Sequence, residues 1–359
     1  MLPLPVSLSS VRRDHLRRHS GGSRHYRSTC DILLTRARVT NLGFLLLAAF
    51  AAASFLVNLA WYFSSPDEYA AYGHAHEGPY APPRAIWDTI AREPALEEID
   101  HLIMVPGHAI WKGTSLEARF DEDQWVLEPY QRGGGRVAAF FKHIAAAAEL
   151  AREDEHSLLV FSGGQTRPSS TTTEAESYMR LAHISDLLPT TTSASTGSSS
   201  PRESIRATTE NYALDSYQNL LFSIARFHEY TGRYPARITV VGYEMKRRRF
   251  TELHRAALRW PETRFEYVGI DAEGDAEAQN GASAQQGELQ NGYLPYTQDT
   301  YGCHGTLLAK RRARNPFLRF HSYYSSAPEL GALLNWCPGR AEGGQTAVYP
   351  GPLPWDDLK

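Results

Sequence analysis

Cysteine is scarce in this 359-residue chain, which holds only Cys30, Cys303 and Cys337. Three scattered thiols exclude a disulfide framework and leave too few ligands for a structural zinc site, so no metal is expected. A single bridge between Cys303 and Cys337 stays open, because both follow the long apolar run that Cys30 precedes. A charge excess is lacking as well: 37 Lys and Arg stand against 40 Asp and Glu, a formal net charge of −3. Domains that bind nucleic acid concentrate a basic field on one face, so nucleic acid is not an expected partner. No Asn-x-Ser/Thr acceptor occurs, which removes glycosylation as a guide to sidedness. No internal repeat is visible.

What is present begins with one apolar run. Residues 42–63 are interrupted only by Gly43, Ser54 and Asn58, and as a helix they span roughly 33 Å, enough for a bilayer core. Trp61 and Tyr62 close the run with rings suited to the headgroup boundary. Residues 1–40 hold eight arginines against Asp14 and Asp31, whereas residues 64–100 hold eight acids against Arg84 and Arg92. Arginine-rich flanks stay cytosolic. The sequence therefore predicts a single-pass protein with a disordered basic tail over 1–41 in the cytosol and its soluble part lumenal or extracellular. A mitochondrial transit peptide is the alternative, since the leader is rich in arginine and serine and poor in acid.

Residues 64–98, with Pro66, Pro79, Pro82 and Pro83, read as a stalk. Buried-strand runs follow at His101 to Pro106, Ser157 to Ser162, Arg237 to Gly242 and Phe265 to Ile270. Helical periodicity fills the intervals at Arg136 to Arg152, Glu174 to Leu188, Thr208 to Tyr230 and Lys246 to Trp260. Alternating strand and helix implies an α/β domain over 99–325, a parallel sheet with helices on both faces. Two stretches, within 190–202 and 272–290, carry too little apolar surface to pack and read as mobile insertions. Residues 326–359 read as a C-terminal extension.

The strand running into Ser162, Gly163 and Gly164 is the most suggestive local chemistry. Ligands of open α/β sheets bind beyond the carboxyl ends of strands, where paired glycines let backbone N–H groups approach closely. A tight turn explains the same pair. His108, after Pro106 and Gly107, faces the same crevice or serves as a structural histidine. Lys246 to Arg249 begin a helix whose dipole already concentrates positive potential, and an anionic ligand or nearby acids would relieve that conflict. Glu174, after Thr171 to Thr173, reads as a threonine-capped helix start. Gly133, Gly135 and Ala138 fit the dinucleotide spacing formally, but no apolar strand feeds them.

Taken in order, VPGHAIWKG at 105–113, FSGGQT at 161–166 with TEAESY at 173–178, ENYALDSYQNLLFSIARF at 210–227 and VVGYEMKRRRF at 240–250 resemble the domain of unknown function 218 family. That family includes the bacterial SanA- and YdcF-like envelope proteins, and YGCHG at 301–305 resembles its fungal members. The resemblance covers roughly residues 100–320. It implies a Rossmann-like fold with shared polar positions at Gly107, Ser162, Gly163, Gly164, Glu174, Glu210, Ser216, Asn219 and Arg247. It departs from the bacterial pattern at Glu244, where a histidine stands before methionine, and at Gln218, where a glutamate stands before asparagine. Family members are linked to envelope integrity and, in one branch, to binding S-adenosylmethionine.

The sequence thus predicts a membrane-anchored domain whose crevice binds a small anionic or nucleotide-like ligand, in envelope or lipid-linked precursor metabolism. Gly163 and Gly164 would donate from the backbone, Arg247 and Arg248 would offset ligand charge, and Glu174 or Glu210 would act as acid or base. A binding or scaffold module without turnover is the competing expectation. No cofactor is assigned.

Overall fold

The computed structural model describes residues 29–64, 88–92, 94–133, 135–193, 202–271 and 275–358. The chain divides into two compact units, 1–75 and 76–359.

Among the described residues, the first unit consists of one helix, α1 (Thr29–Ser64). Within it, Gly43–Ala60 is free of charge and long and apolar enough to cross a membrane. Its side chains over 42–60 are exposed. Asn58 donates from Nδ2 to the Ser54 carbonyl at 2.7 Å, so this polar group is satisfied inside the helix. The helix starts before the expected Leu42, since the preceding Ile, Leu, Arg and Ala residues are themselves compatible with a helix. Most of the expected tail and stalk lies outside the described residues.

The second unit is built on a five-stranded parallel sheet: β1 (His101–Pro106), β2 (Ser157–Ser162), β3 (Ala207–Glu210), β4 (Arg237–Gly242) and β5 (Phe265–Gly269). Their order is β3-β2-β1-β4-β5. The register runs His101 opposite Ser157 and Arg237, and Ile238 opposite Phe265. Alternate residues of a strand point to opposite faces, so β1 sends Leu102 and Met104 into one core and Ile103 and Val105 into the other. Helices α2 (Arg136–Glu153) and α3 (Glu174–Ile184) cover the second face. Helix α4 (Ser216–Thr231) covers the first, joined by Phe250, Leu258, Trp260 and the chain's C-terminal residues. Each fully buried Leu, Val or Phe stabilises the unit by about 1.5–3 kcal/mol.

Three expectations are corrected. The helix expected from Thr208 begins later: Ala207–Glu210 pairs with Leu159–Ser162 as an edge strand, and the helix waits for its Asp215 cap. The 272–290 stretch is not a packing-free insertion: Asp275–Glu288 forms a helix, α5, that continues through a π-turn at Leu289–Tyr293 to Gln298. Residues 326–359 are not an appendage, since Leu330, Leu333, Leu353 and Trp355 are buried in the main core. In the 190–202 stretch, Thr190–Ser193 pairs antiparallel with Arg202–Ile205. Another short ribbon pairs Ile110–Trp111 with Trp125–Val126. A last helix, α6 (Gly305–Ala313), precedes the C-terminal segment. Cys303 and Cys337 are bonded to each other, with Cα atoms 5.9 Å apart.

At the amino ends of the strands His101 is fixed from both ring nitrogens, Nδ1 to Asp154 at 2.7 Å and Nε2 to Thr239 at 2.8 Å. Arg237 joins Asp154 at 2.5 Å. This charged network lies at the opposite end of the sheet from the crevice described next.

Candidate functional site

The strand order reverses direction between β1 and β4: the chain moves outward to β2 and β3 on one side and to β5 on the other. Loops leaving the carboxyl ends at such a switch point diverge, which opens a crevice. Here it is a cavity of about 780 Å³, with Pro106, Gly107 and His108 after β1, and Tyr243, Met245 and Lys246 after β4. The start of α4, the loop and first turn of α2, and the small residues Ser283, Ala284 and Gly287 of α5 complete the wall.

The wall is electropositive. Seven cationic side chains line it, Arg132, Arg136, Arg167, Lys246, Arg249, Lys310 and Arg314, against Glu174, Asp215 and Glu288. All three carboxylates are already engaged. Glu174 accepts from the Thr166 hydroxyl and lies 4.0 Å from Arg167, Glu288 pairs with Arg249 at 3.1 Å, and Asp215 pairs with Arg311 at 2.5 Å. Burial pushes the Asp215 carboxyl up, but Arg311 beside it holds it below the usual carboxylate range. Among the described residues, Arg136 has no ion-pair partner, Lys310 and Arg314 bond only backbone carbonyls, and Lys246 bonds only His108.

Lys246 is the sharpest of these. Its Nζ lies 3.2 Å from His108 Nδ1, inside the cavity wall. Burial, reinforced by Arg249, lowers its ammonium to about 7. Burial also drives His108 well below its ordinary value, with Lys246 adding to the effect, so the ring is neutral and can accept at Nδ1. The helix after β4 contains a π-turn over Arg249–His254. Such bulges re-aim side chains at functional sites.

The structure brings Gly107, His108, Glu174, Ser216 and Asn219 together on the cavity wall. A Cβ on Gly107 would fall 2.5 Å from the Glu174 Cβ, so only glycine lets α3 begin this close to β1. Ser216 holds His254 at 2.8 Å, and Asn219 Oδ1 lies 2.9 Å from the Ser162 hydroxyl, whose one proton it shares with Glu210.

Other expected residues are placed elsewhere. The Gly163 and Gly164 amides are not free donors: they bond the Glu210 and Ala213 carbonyls at 3.0 and 2.8 Å, while their own carbonyls cap the first amides of α3. Arg247 and Arg248 point away and pair with Glu244 at 2.6 Å and Glu252 at 2.9 Å. Residues three apart share a helix face, so Lys246 and Arg249 take the cavity side instead. Ser162 and Glu210 are fully buried beneath the wall rather than lining it.

Glu210 accepts from Ser162 at 2.7 Å, from the Tyr212 and Ala213 amides at 2.7 and 3.2 Å, and from the Tyr323 hydroxyl at 3.1 Å. Burial raises its carboxyl to about 7, opposed by these donors. It works as a structural hub that ties β2, β3 and the C-terminal segment together, not as an acid or base in contact with a ligand. Glu210→Ala is expected to cost about 3 kcal/mol or more, because several buried donors lose their acceptor. The midpoint of chemical denaturation reads that loss, and an unchanged midpoint would contradict the hub.

Sequence reasoning missed Arg132, Arg136, Lys310, Arg314 and Glu288. The run Lys310, Arg311, Arg312 and Arg314, with no acid between Tyr301 and Pro328, was the available signal. Cys303, His304 and Cys337 also come together, but with the two sulfurs joined they present no thiolate to a metal.

Among known proteins, the chain is similar to the uncharacterized protein YOR238W of Saccharomyces cerevisiae, at 29% identity over 268 residues, 64% of this chain and 88% of that one. No protein-family profile and no solved structure matches it.

Proposed function

We propose that this is a membrane-anchored protein whose α/β unit binds a small phosphorylated ligand, of nucleotide or phosphosugar type, in the crevice between β1 and β4. The observation that carries this reading is the cavity wall, where, among the described residues, Arg136, Lys246, Lys310 and Arg314 have no carboxylate partner and the three carboxylates present are already engaged. Unpaired cations around one low-dielectric cavity repel each other, and a polyanion offsets that repulsion through charge-assisted hydrogen bonds. A volume of about 780 Å³ suits a ligand of this size.

Helix α1 supplies the anchor. The arginine-rich flank before it supports an N-terminus in the cytosol and an α/β unit in a lumen or outside the cell. The bonded Cys303 and Cys337 support an oxidising compartment on that side. Together with the resemblance to the domain of unknown function 218 family, this points to envelope or lipid-linked precursor metabolism.

A binding role without turnover is the second reading, favoured by the absence of a free carboxylate among the described residues of the wall. The same wall disfavours S-adenosylmethionine, whose sulfonium is itself a cation.

Thermal unfolding of the full chain in detergent tests the reading, with pyrophosphate, a nucleoside diphosphate, a sugar phosphate and S-adenosylmethionine as probes. At a hundred times Kd an anionic ligand stabilises by about 2.7 kcal/mol, a rise of roughly 5 °C or more in Tm. No shift with any phosphorylated probe at low salt would end the proposal. Product formation from a shifting probe selects an enzyme, and its absence selects a binder.

A further inference from the structure

Outside α1, the two most exposed apolar side chains among the described residues sit within three positions of each other: Leu318 at 87% and Phe320 at 75%, with Phe317 beside them at 40%. Leaving such side chains in water forgoes the gain of burying them, so a pair held outward calls for an occupant.

The turn that presents them is built, not frayed. Asn315 pins Arg319 from both ends, its Oδ1 accepting the Arg319 amide at 2.8 Å and its Nδ2 donating to the Arg319 carbonyl at 3.0 Å. Inside this clamp the Leu318 amide bonds the Asn315 carbonyl at 3.2 Å, and Leu318 adopts φ 52°. That left-handed conformation is disfavoured for an L-residue and persists only where surrounding bonds impose it. The Phe320 ring stacks on His321 and Tyr324 at 5.2 and 5.7 Å, which fixes its direction too.

Along the segment that carries the turn, charge is of one sign. No acid occurs between Tyr301 and Pro328. Arg312 and Arg319 are exposed, and among the described residues neither pairs with a carboxylate. Arg319 is steadied over the Tyr212 ring at 5.0 Å. A second copy paired through this same turn would bring arginine against arginine. Exposed apolar tips ringed by arginine match an interface whose outer layer is anionic and whose inner layer is hydrocarbon.

We propose that the turn over 315–320 docks on an anionic bilayer surface, with Leu318 and Phe320 entering below the headgroups and Arg312 and Arg319 meeting lipid phosphates. This goes beyond the cavity ligand and rests on the anchored reading of α1, with the anionic lipid in the leaflet that faces the α/β unit, whichever side of the membrane that is. Lys310 and Arg314, which line the cavity, leave the same segment, so docking brings that wall toward lipid headgroups.

The test uses the full chain in vesicles, with Cys30→Ser and Leu318→Cys carrying an NBD fluorophore; Cys303 and Cys337 are bonded and do not react. In phosphatidylcholine vesicles containing phosphatidylserine, doxyl-labelled lipid is expected to quench the probe, and a probe at Glu262→Cys is not. Arg312→Gln or Arg319→Gln each lowers the docked-to-undocked ratio about fivefold, the fold-change equivalent to ~1 kcal/mol per cation at the surface. A probe at 318 that stays unquenched in anionic vesicles overturns the docking, as does protection that arises only when another protein is added. Release of the chain by alkaline carbonate would overturn the anchor instead, a failure read separately from the quenching.

Discussion

In a Lys246→Met chain, affinity for pyrophosphate or another phosphorylated ligand is expected to fall about a hundredfold, as a charge-assisted hydrogen bond of up to ~3 kcal/mol is lost. Thermal stability should hold or rise. The ammonium bonds a neutral His108 rather than a carboxylate, and burial and Arg249 outweigh the favourable pull of Glu288 and Glu174, so methionine of similar length removes a disfavoured charge and keeps the packing. The sign with pH follows from the lowering to about 7 from 10.5. Between those values the unfolded chain holds the proton and the folded chain does not. Stability owed to this residue therefore rises from pH 7 toward 10.5, and the cost is greatest below 7. A bound anion favours the ammonium, so binding above pH 7 takes up a proton and weakens by at most about tenfold per pH unit. Calorimetric titration at pH 8 in buffers of different ionisation enthalpy measures that uptake. A variant that binds as tightly as the parent would remove Lys246 from the site.

Opening the Cys303–Cys337 bond has the second large effect. The bond closes a loop of 34 residues, for which chain entropy gives about 3–4 kcal/mol, or roughly 10 °C in Tm. The loss falls on the C-terminal segment, where Trp336 packs edge-on to Tyr349 at 5.6 Å and Leu330, Leu333 and Trp355 enter the core. Cys303→Ala with Cys337→Ala, or dithiothreitol on the native chain, should both lower Tm, and dithiothreitol should add nothing to the double variant. Equal melting of all samples would show that the bond carries no stability. Because the segment also delivers Tyr323 to Glu210, reduction is expected to loosen the hub as well.

The interior of the sheet was legible from sequence because β1, β2 and β4 are buried on both faces and so read as unbroken apolar runs. The edge strand β3 was not. Its four residues include two threonines and Glu210, and nothing in Ala207–Glu210 separates it from the helical pattern that follows. Helix α5 was hidden for a different reason: residues such as Ser283, Ala284 and Gly287 serve a polar cavity by being small, and smallness carries no periodic signal. The basic run after β4 reads in sequence as calling for an anionic ligand or nearby acids, but the helical phase that turns Lys246 and Arg249 inward and Arg247 and Arg248 outward depends on where the turn begins. The paired glycines illustrate a further limit. Their position at a strand end was read correctly, yet their amides had partners from β3 and the loop after it, which only tertiary structure supplies.

All five strands run the same way, which gives the α/β unit two unlike poles. Everything offered to a ligand gathers at one, while the other is closed by His101, Asp154, Thr239 and Arg237 bonding among themselves. A label, an immobilising tether or a charge change attached at the closed pole leaves the mouth unobstructed, so the molecule can be handled from behind while its ligand is sought from the front.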